Sequence, residues 1–359
     1  MQSAHSKKIW YGLAGVLGIV IVFITYGAIA VKSALTVPCA PKAETVINTP
    51  AKTTAFEKYR KRQLPMAEYA IHDPYYHHRI PSINASVILD AWWIPAKKKT
   101  QKTIILVHGV TSSKHSPRML FLAGVYHKAG FNVISFDLSN HGASTCATGL
   151  HTAGQRESKD LLAVKQWLQQ EKQIPAAKIG VHGVSLGAIT ALVAMGVDKD
   201  IAAVIAETPA YDMPEVARSE LQRKKVPSLL IPWMVKLEGI LSRLVVGTDL
   251  DKYPPKQALF GLDGRRLMVM FSSADERIPA KRHMLALIDD ALTLGAGLTI
   301  KWLIGAGHDG FVERMVPWYE KTVTKFFLHS LSSTKTIRKD TVADDDEQLS
   351  IDFVRVPQQ

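Results

Sequence analysis

Cysteine is nearly absent from the chain, which holds only Cys39 and Cys146. No thiolate metal cluster can be built from that pair, and neither a metal nor a cofactor is expected. One cysteine lies in a linker-like stretch and the other in a loop, so the sequence argues only weakly for a bridge between them. Pro38 precedes Cys39 where a lipidated cysteine would follow a small residue, which argues against lipid attachment there. Acidic side chains are also in deficit, with 32 Asp and Glu against 44 Lys and Arg and a formal charge of +12. The excess is scattered over residues 58–62, Lys97, Lys98, Lys99, Lys102, Lys114 and Arg118. No interleaved aromatics or nucleic-acid motif accompany it, so nucleic acid is not an expected partner. These cations read as a solvated surface, with attraction to anionic lipid headgroups as the sharper alternative.

Long apolar runs are absent too, except one. Ile9–Val31 contains no charged residue over 23 positions, enough to cross a bilayer as a helix. Residues 1–8 precede it as a short tail with Lys7 and Lys8. Lys32 and Lys42 follow, and the balance of charge favours a cytoplasmic N-terminus with the bulk of the chain on the other side. The rival reading is a cleaved signal peptide, because Ala28-Ile29-Ala30 has the small-x-small form of a cleavage site; the product would then be secreted or periplasmic. Residues 32–69 read as linker and lead-in, with Pro38, Pro41 and Pro50 breaking any helix in a tether that runs to about Thr54. Asn84-Ala85-Ser86 fits a glycosylation acceptor, a weak pattern by itself. At the other end residues 332–359 are polar, with the acidic run Asp344, Asp345, Asp346 and Glu347, and read as a disordered tail.

Between these ends, residues 70–331 alternate strand-like and helix-like runs. Strands are expected at Ser86–Leu89, Thr103–Val107, Asn132–Phe136, Lys178–His182, Ala202–Ala206, Leu267–Phe271 and Leu298–Leu303. Helices are expected at Met119–Ala129, Gln155–Gln170, Leu186–Gly196, Arg282–Leu294 and Val312–Leu328. The central strands are nearly unbroken apolar runs, as in a sheet covered by helices on both faces. The expected fold is therefore α/β, with a mainly parallel, doubly wound sheet whose ligands bind beyond the carboxyl ends of the strands. An insertion at about 209–264 carries Trp233, Met234, Leu237, Ile240, Leu241, Leu244 and Val245 at helical spacing. It reads as a small helical cap, either packed on the core or forming an acyl-binding wall.

Gly183-Val184-Ser185-Leu186-Gly187 stands between a strand-like run and a helix-like one. A serine hydroxyl attacks well only if it stands clear of the backbone, and a strained strand-to-helix turn with flanking glycines holds it there. The bare pattern carries little weight; its context carries more. His108-Gly109 follows one strand, Asp137-Leu138-Ser139-Asn140-His141-Gly142-Ala143-Ser144 follows another, Asp275 opens D-x-x-I-P after a late strand, and His308 follows the last. In that order the chain resembles the α/β-hydrolase superfamily of serine hydrolases over roughly residues 80–330. It departs from the usual D-x-R-G-H-G-x-S at Ser139 and Asn140.

The resemblance implies a nucleophile at Ser185, an acid at Asp275 with Glu276 as the neighbouring alternative, and a base at His308. It also implies an oxyanion hole from the N–H groups of Leu186 and Val110. His108, His141 and His182 are expected to make structural hydrogen bonds. His77 and His78 are placed before the sheet, and His283 and His329 on helices.

The implied activity is that of a membrane-anchored serine hydrolase acting on a small-molecule or lipid acyl ester. A serine peptidase of the prolyl-oligopeptidase-like or aminopeptidase-like kind and a thioesterase are the alternatives. No propeller precedes the domain, which argues against a large oligopeptidase. An aminopeptidase would want paired acids in the cap, where Glu215, Glu220 and Glu238 look isolated. The non-enzyme alternative is a hydrolase-like scaffold that binds a partner at the membrane.

Overall fold

A computed structural model describes residues 2–40, 46–53, 66–83, 86–247, 249, 254–262, 264–308, 310–332 and 348–357. Among these described residues nine strands form one sheet in the order β1-β2-β4-β3-β5-β6-β7-β8-β9. They are β1 (Tyr76–Pro81), β2 (Ile88–Ile94), β3 (Thr103–Val107), β4 (Asn132–Phe136), β5 (Ile179–Val184), β6 (Ala203–Glu207), β7 (Arg266–Ser272), β8 (Thr299–Ile304) and β9 (Ser350–Arg355). From β4 onward every pairing is parallel, while β1 and β2 join antiparallel at one edge. The helices are α1 (Gln2–Leu35), α2 (Pro117–Lys128), α3 (Glu157–Glu171), α4 (Leu186–Val197), α5 (Met213–Arg223), α6 (Ile231–Val246), α7 (Ala280–Leu294) and α8 (Val316–Ser330).

The apolar central strands bury both faces, and two core clusters result. One gathers Ile105, Val107, Ile134, Val181 and Val269 against α3, α4 and α7. The other gathers Ile104, Leu106, Val133, Ile205 and Met270 against α2 and α8. The helices thus fall on opposite faces of the sheet, the doubly wound layout expected of strands apolar on both sides. α5 and α6 lie between β6 and β7 as the cap. Asp212 caps α5, its side chain accepting from the Glu215 N–H.

Four expectations change. His77 and His78 lie within β1, whose polar sequence suits an edge strand, so they belong to the sheet. The tail is ordered at its far end: β9 adds a ninth strand beside β8, with Lys301 paired to Asp352. Its short run of alternating Ile351, Asp352, Phe353 was overshadowed by the preceding acidic stretch, which lies outside the described residues. The tether is docked rather than free. Val37 N–H donates to the Gly149 carbonyl (2.8 Å), His151 N–H to the Leu35 carbonyl (2.9 Å), and Ile71 N–H to the Pro50 carbonyl (2.8 Å). A Cys39–Cys146 disulfide closes the same junction. Finally, Lys114 is not a surface cation. It is buried, with its ammonium 2.6 Å from Asp90 and 2.7 Å from Asp137. Residues 41–45 and 54–65, Asn84 and Asp344–Glu347 lie outside the described residues.

Among the described residues no helix is long and apolar enough to cross a membrane. The side chains of residues 2–9, 12, 13, 16 and 19 of α1 lie outside that description. The C-terminal half of α1 packs on the cap, where Ala28, Val31 and Leu35 meet Leu237, Leu241, Val245 and Val246.

Candidate active site

β5 ends at Val184 and α4 begins at Leu186, which leaves Ser185 alone at the turn with φ 55° and ψ −114°. A non-glycine residue tolerates that conformation only where its surroundings impose it. Two close approaches do so. A Cβ on Gly183 would fall 2.1 Å from the Gly187 carbonyl oxygen, and one on Gly187 would fall 2.1 Å from that of Val107. Both glycines are therefore required for β5, β3 and α4 to pack so closely. Ser185 N–H donates to the Glu207 carbonyl at 2.8 Å, fastening the turn to the end of β6.

Loops after β7 and β8 bring the other two groups. His308 Nε2 stands 3.1 Å from Ser185 Oγ, and His308 Nδ1 stands 2.6 Å from Asp275 Oδ2. The second oxygen of Asp275 accepts from the N–H groups of Arg277 and Ile278, each at 2.9 Å. All four contacts fit one proton arrangement: the serine hydroxyl donates to Nε2, and Nδ1–H donates to the carboxylate. Glu276 is exposed and makes no contact with His308, so of the two neighbouring acids Asp275 is the one brought to the imidazole. Asp275 shows only 1% of its side chain to solvent and His308 13%, so the acid is the more deeply buried of the two.

The loop after β3 lies against the serine. A Cβ on Gly109 would sit 3.3 Å from the Ser185 Cβ and 3.9 Å from Oγ. Among the described residues, neither the Val110 nor the Leu186 N–H has a recorded partner. Leu186 opens a helix, where first-turn amides lack intrahelical acceptors and carry the positive end of the dipole.

A buried polar layer supports these loops. His108 Nδ1–H donates to the Gly109 carbonyl (2.8 Å), and its Nε2 accepts from the Leu138 N–H (3.0 Å). Burial, reinforced by His141, pushes His108 down to about 4, so it stays neutral at physiological pH. Below the elbow, Glu207 binds Arg118, His182 (3.2 Å) and Tyr319 (2.7 Å). Burial alone would raise the Glu207 carboxyl. Arg118 and then His182 more than offset that and hold it at about 2. Sequence reasoning had placed Arg118 among surface cations and missed Glu207, because nothing in a lone acid at a strand end announces its partners. His283 is buried and pushed down to about 4 by that burial, with Nδ1 accepting from the Asp212 N–H.

In the cap, Glu220 and Glu238 are not isolated: both line one cavity. Burial raises the Glu238 carboxyl, with Lys224 opposing and Glu220 adding to the rise. Glu220 itself is paired with Arg223 and Lys224.

The sequence profile of the prolyl oligopeptidase family matches residues 123–334, more than half of the chain and a span that holds Ser185, Asp275 and His308. This chain belongs to the prolyl oligopeptidase family. It is thereby an α/β-hydrolase of the serine hydrolase superfamily. An uncharacterized protein of Mycobacterium tuberculosis is 24% identical over 223 residues, covering 62% of this chain and 68% of that protein. Solved structures share the fold at low identity. The Pyrococcus furiosus esterase Pf2001 is 21% identical, covers 72% of this chain and 94% of its own, and superimposes with a TM-score of 0.56. The α/β-hydrolase GrgF from Penicillium sp. sh18 is 17% identical at a TM-score of 0.57, covering 73% of this chain and 100% of its own. Est1E from Butyrivibrio proteoclasticus, solved with ferulic acid, is 17% identical at a TM-score of 0.54, covering 71% of this chain and 100% of its own.

Proposed function

We propose that this prolyl oligopeptidase family member is a membrane-anchored serine hydrolase that cleaves the carboxylic ester of an acyl lipid. The hydrogen-bonded line from Ser185 through His308 to Asp275 carries the reading. His308 takes the hydroxyl proton as Ser185 Oγ attacks the ester carbonyl carbon, and Asp275 holds the imidazole in position and stabilises its charged form. The carbonyl oxygen becomes an oxyanion held by the Leu186 and Val110 N–H groups. As the C–O bond breaks, His308 returns the proton to the leaving alkoxide. Water, deprotonated by His308, then attacks the acyl-enzyme and releases the acid and free Ser185.

Three observations support the finer parts. The esterase name of Pf2001 favours ester chemistry over amide chemistry. The uncharged run Ile9–Val31 lies inside the 34-residue α1, and a run of that length matches the span of a bilayer. The Cys39–Cys146 disulfide suits an oxidising compartment, consistent with a catalytic domain on the non-cytoplasmic side. A serine peptidase remains the second reading, on Glu220 and Glu238 lining one cavity, which Arg223 and Lys224 line as well.

A fluorophosphonate probe is expected to label Ser185 in the detergent-solubilised full chain. Ser185→Ala and His308→Ala should each cut kcat by about a thousandfold or more, and Asp275→Asn somewhat less. Rates on aryl esters of rising acyl length, set beside aminoacyl amides and acyl thioesters, separate the readings. Folded protein that resists the probe and hydrolyses none of them would refute the enzyme.

A further inference from the structure

A cavity of about 920 Å³ lies between α1, the two cap helices and the Asp275–Pro279 loop. Its volume is in the range of ligand-binding sites. One wall is built from α1, including Phe23, Ile29 and Ala30; the opposite wall is built from Val216 and Ala217 of α5 and Leu237 of α6, and the charged Glu220, Arg223, Lys224 and Glu238 also line the cavity. It meets the triad at its acid end. Asp275 is in the wall, Ser185 and His308 are not, and the Ile278 N–H that bonds Asp275 belongs to the same loop. Val216 packs against the cluster that holds Ile278 and Ile189, the latter one turn along α4 from Ser185, so the cavity wall and the elbow share one apolar cluster.

Two further observations concern depth. Trp233, Ile240 and Leu244 recur along one side of α6 and are 70%, 49% and 76% exposed; Leu229, just before the helix, is 80% exposed. Exposed apolar side chains gathered on one helix face mark a surface for a partner or a membrane. The junction between α1 and the domain is rigid, held by the disulfide and by the Leu35–His151 and Val37–Gly149 hydrogen bonds. At 1.5 Å per residue, Ile9–Val31 rises about 35 Å, close to the hydrocarbon thickness, so Phe23–Val31 would occupy the leaflet nearest the domain. With no slack at the junction, the cap and the cavity come to the same level as that leaflet.

We propose that this cavity is an acyl-chain site that opens sideways into the bilayer, with the anchor helix itself as one wall. The substrate is then a long-chain acyl lipid taken from the membrane without passing through water. Its chain lies between α1 and the cap while its ester reaches past the acid loop to Ser185. The inference rests on reading α1 as the anchor and Ser185 as the nucleophile.

The test uses the full chain in phosphatidylcholine nanodiscs containing a phosphatidylcholine with a diazirine on its acyl chain. In a Ser185→Ala background, photocrosslinks are expected on both the Phe23–Ala34 stretch and the cap. Ala30→Trp, which fills the cavity from the anchor, and Ala217→Trp, which fills it from the cap, should each reduce crosslinking to both. With Ser185 restored, each should lower the ratio of kcat/KM on an aryl palmitate to that on an aryl butanoate by about tenfold or more, since each lost methylene contact is worth roughly 0.8 kcal/mol. Fluorophosphonate labelling of the tryptophan variants reports that they fold. Crosslinks on α1 without the cap, or yields and ratios unmoved by both substitutions, would overturn the acyl site. Failure of the wild-type chain to hydrolyse any ester would instead overturn the hydrolase reading, and crosslinking would still decide the cavity.

Discussion

Ser185 owes its backbone conformation to its neighbours, and the neighbours owe theirs to buried charge. Lys114 shows how. Its ammonium bridges Asp90 and Asp137, and its N–H donates to Asp137 at 2.6 Å, so the strand-end loop that carries Val110 is tied to β2 and β4. Replacing it by methionine takes the paired cation from buried Asp137 and leaves Asp90 with Arg79 at 3.2 Å. Lys114→Met is expected to cost about 3–5 kcal/mol, read as a large fall in the denaturant midpoint, and an unchanged midpoint would refute the assignment. Glu207 gives a pH dependence. Its carboxyl is held at about 2 in the fold against an ordinary 4.5, so between those values the unfolded chain binds a proton that the folded one refuses. Its contribution, about 3 kcal/mol, is present above roughly pH 4.5 and is lost as pH falls toward 2. Acid titrations of stability should be shallower for Glu207→Gln across that interval, although its stability at neutral pH is lower.

At the scale of elements, the junction after α1 behaves differently from the tether its prolines suggest. Pro38 breaks the helix as expected, but the released backbone finds partners in the 146–151 loop, and the disulfide spans 107 residues. Cross-linking over so long a separation restricts the unfolded chain, and its loss is expected to cost about 2–4 kcal/mol. Reductant should therefore lower the thermal midpoint of the wild-type chain and leave that of a Cys39→Ser, Cys146→Ser variant unmoved. The β3, β4, β5, β6, β7 and β8 strands were legible within two residues because each is an apolar run bounded by turn signals. The edge strands β1 and β9 were not. An edge strand buries little, so its sequence carries little of the apolar pattern that marks the others.

For the molecule as a whole, the proposed anchor would set where the chemistry happens. The full chain is expected to stay with membranes through carbonate extraction, and a chain beginning at Phe23 should be released. Protease added to intact cells or spheroplasts should reach the catalytic domain. Wild-type protein found in the soluble fraction would count against the anchor and, with it, against a membrane-fed cavity.

Gly183, Ser185 and Gly187, the order of Asp275 and His308 behind them, and the alternation of apolar runs were readable from the chain alone. Local geometry demands those residue types: this tight strand-to-helix turn admits nothing larger than glycine two positions before and after its serine, and a doubly covered strand admits little but apolar side chains. What required the tertiary structure was every pairing between distant residues whose individual identities are unremarked. Lys114 looked like a surface cation until Asp90 and Asp137 surrounded it, and Glu220 and Glu238 looked isolated until two helices turned them toward one cavity. The N-terminal apolar run looked separate from the site until α1 was seen to form a wall of that cavity beside the Asp275 loop. Such contacts depend on how helices pack, which side-chain shape and burial decide together over the whole chain.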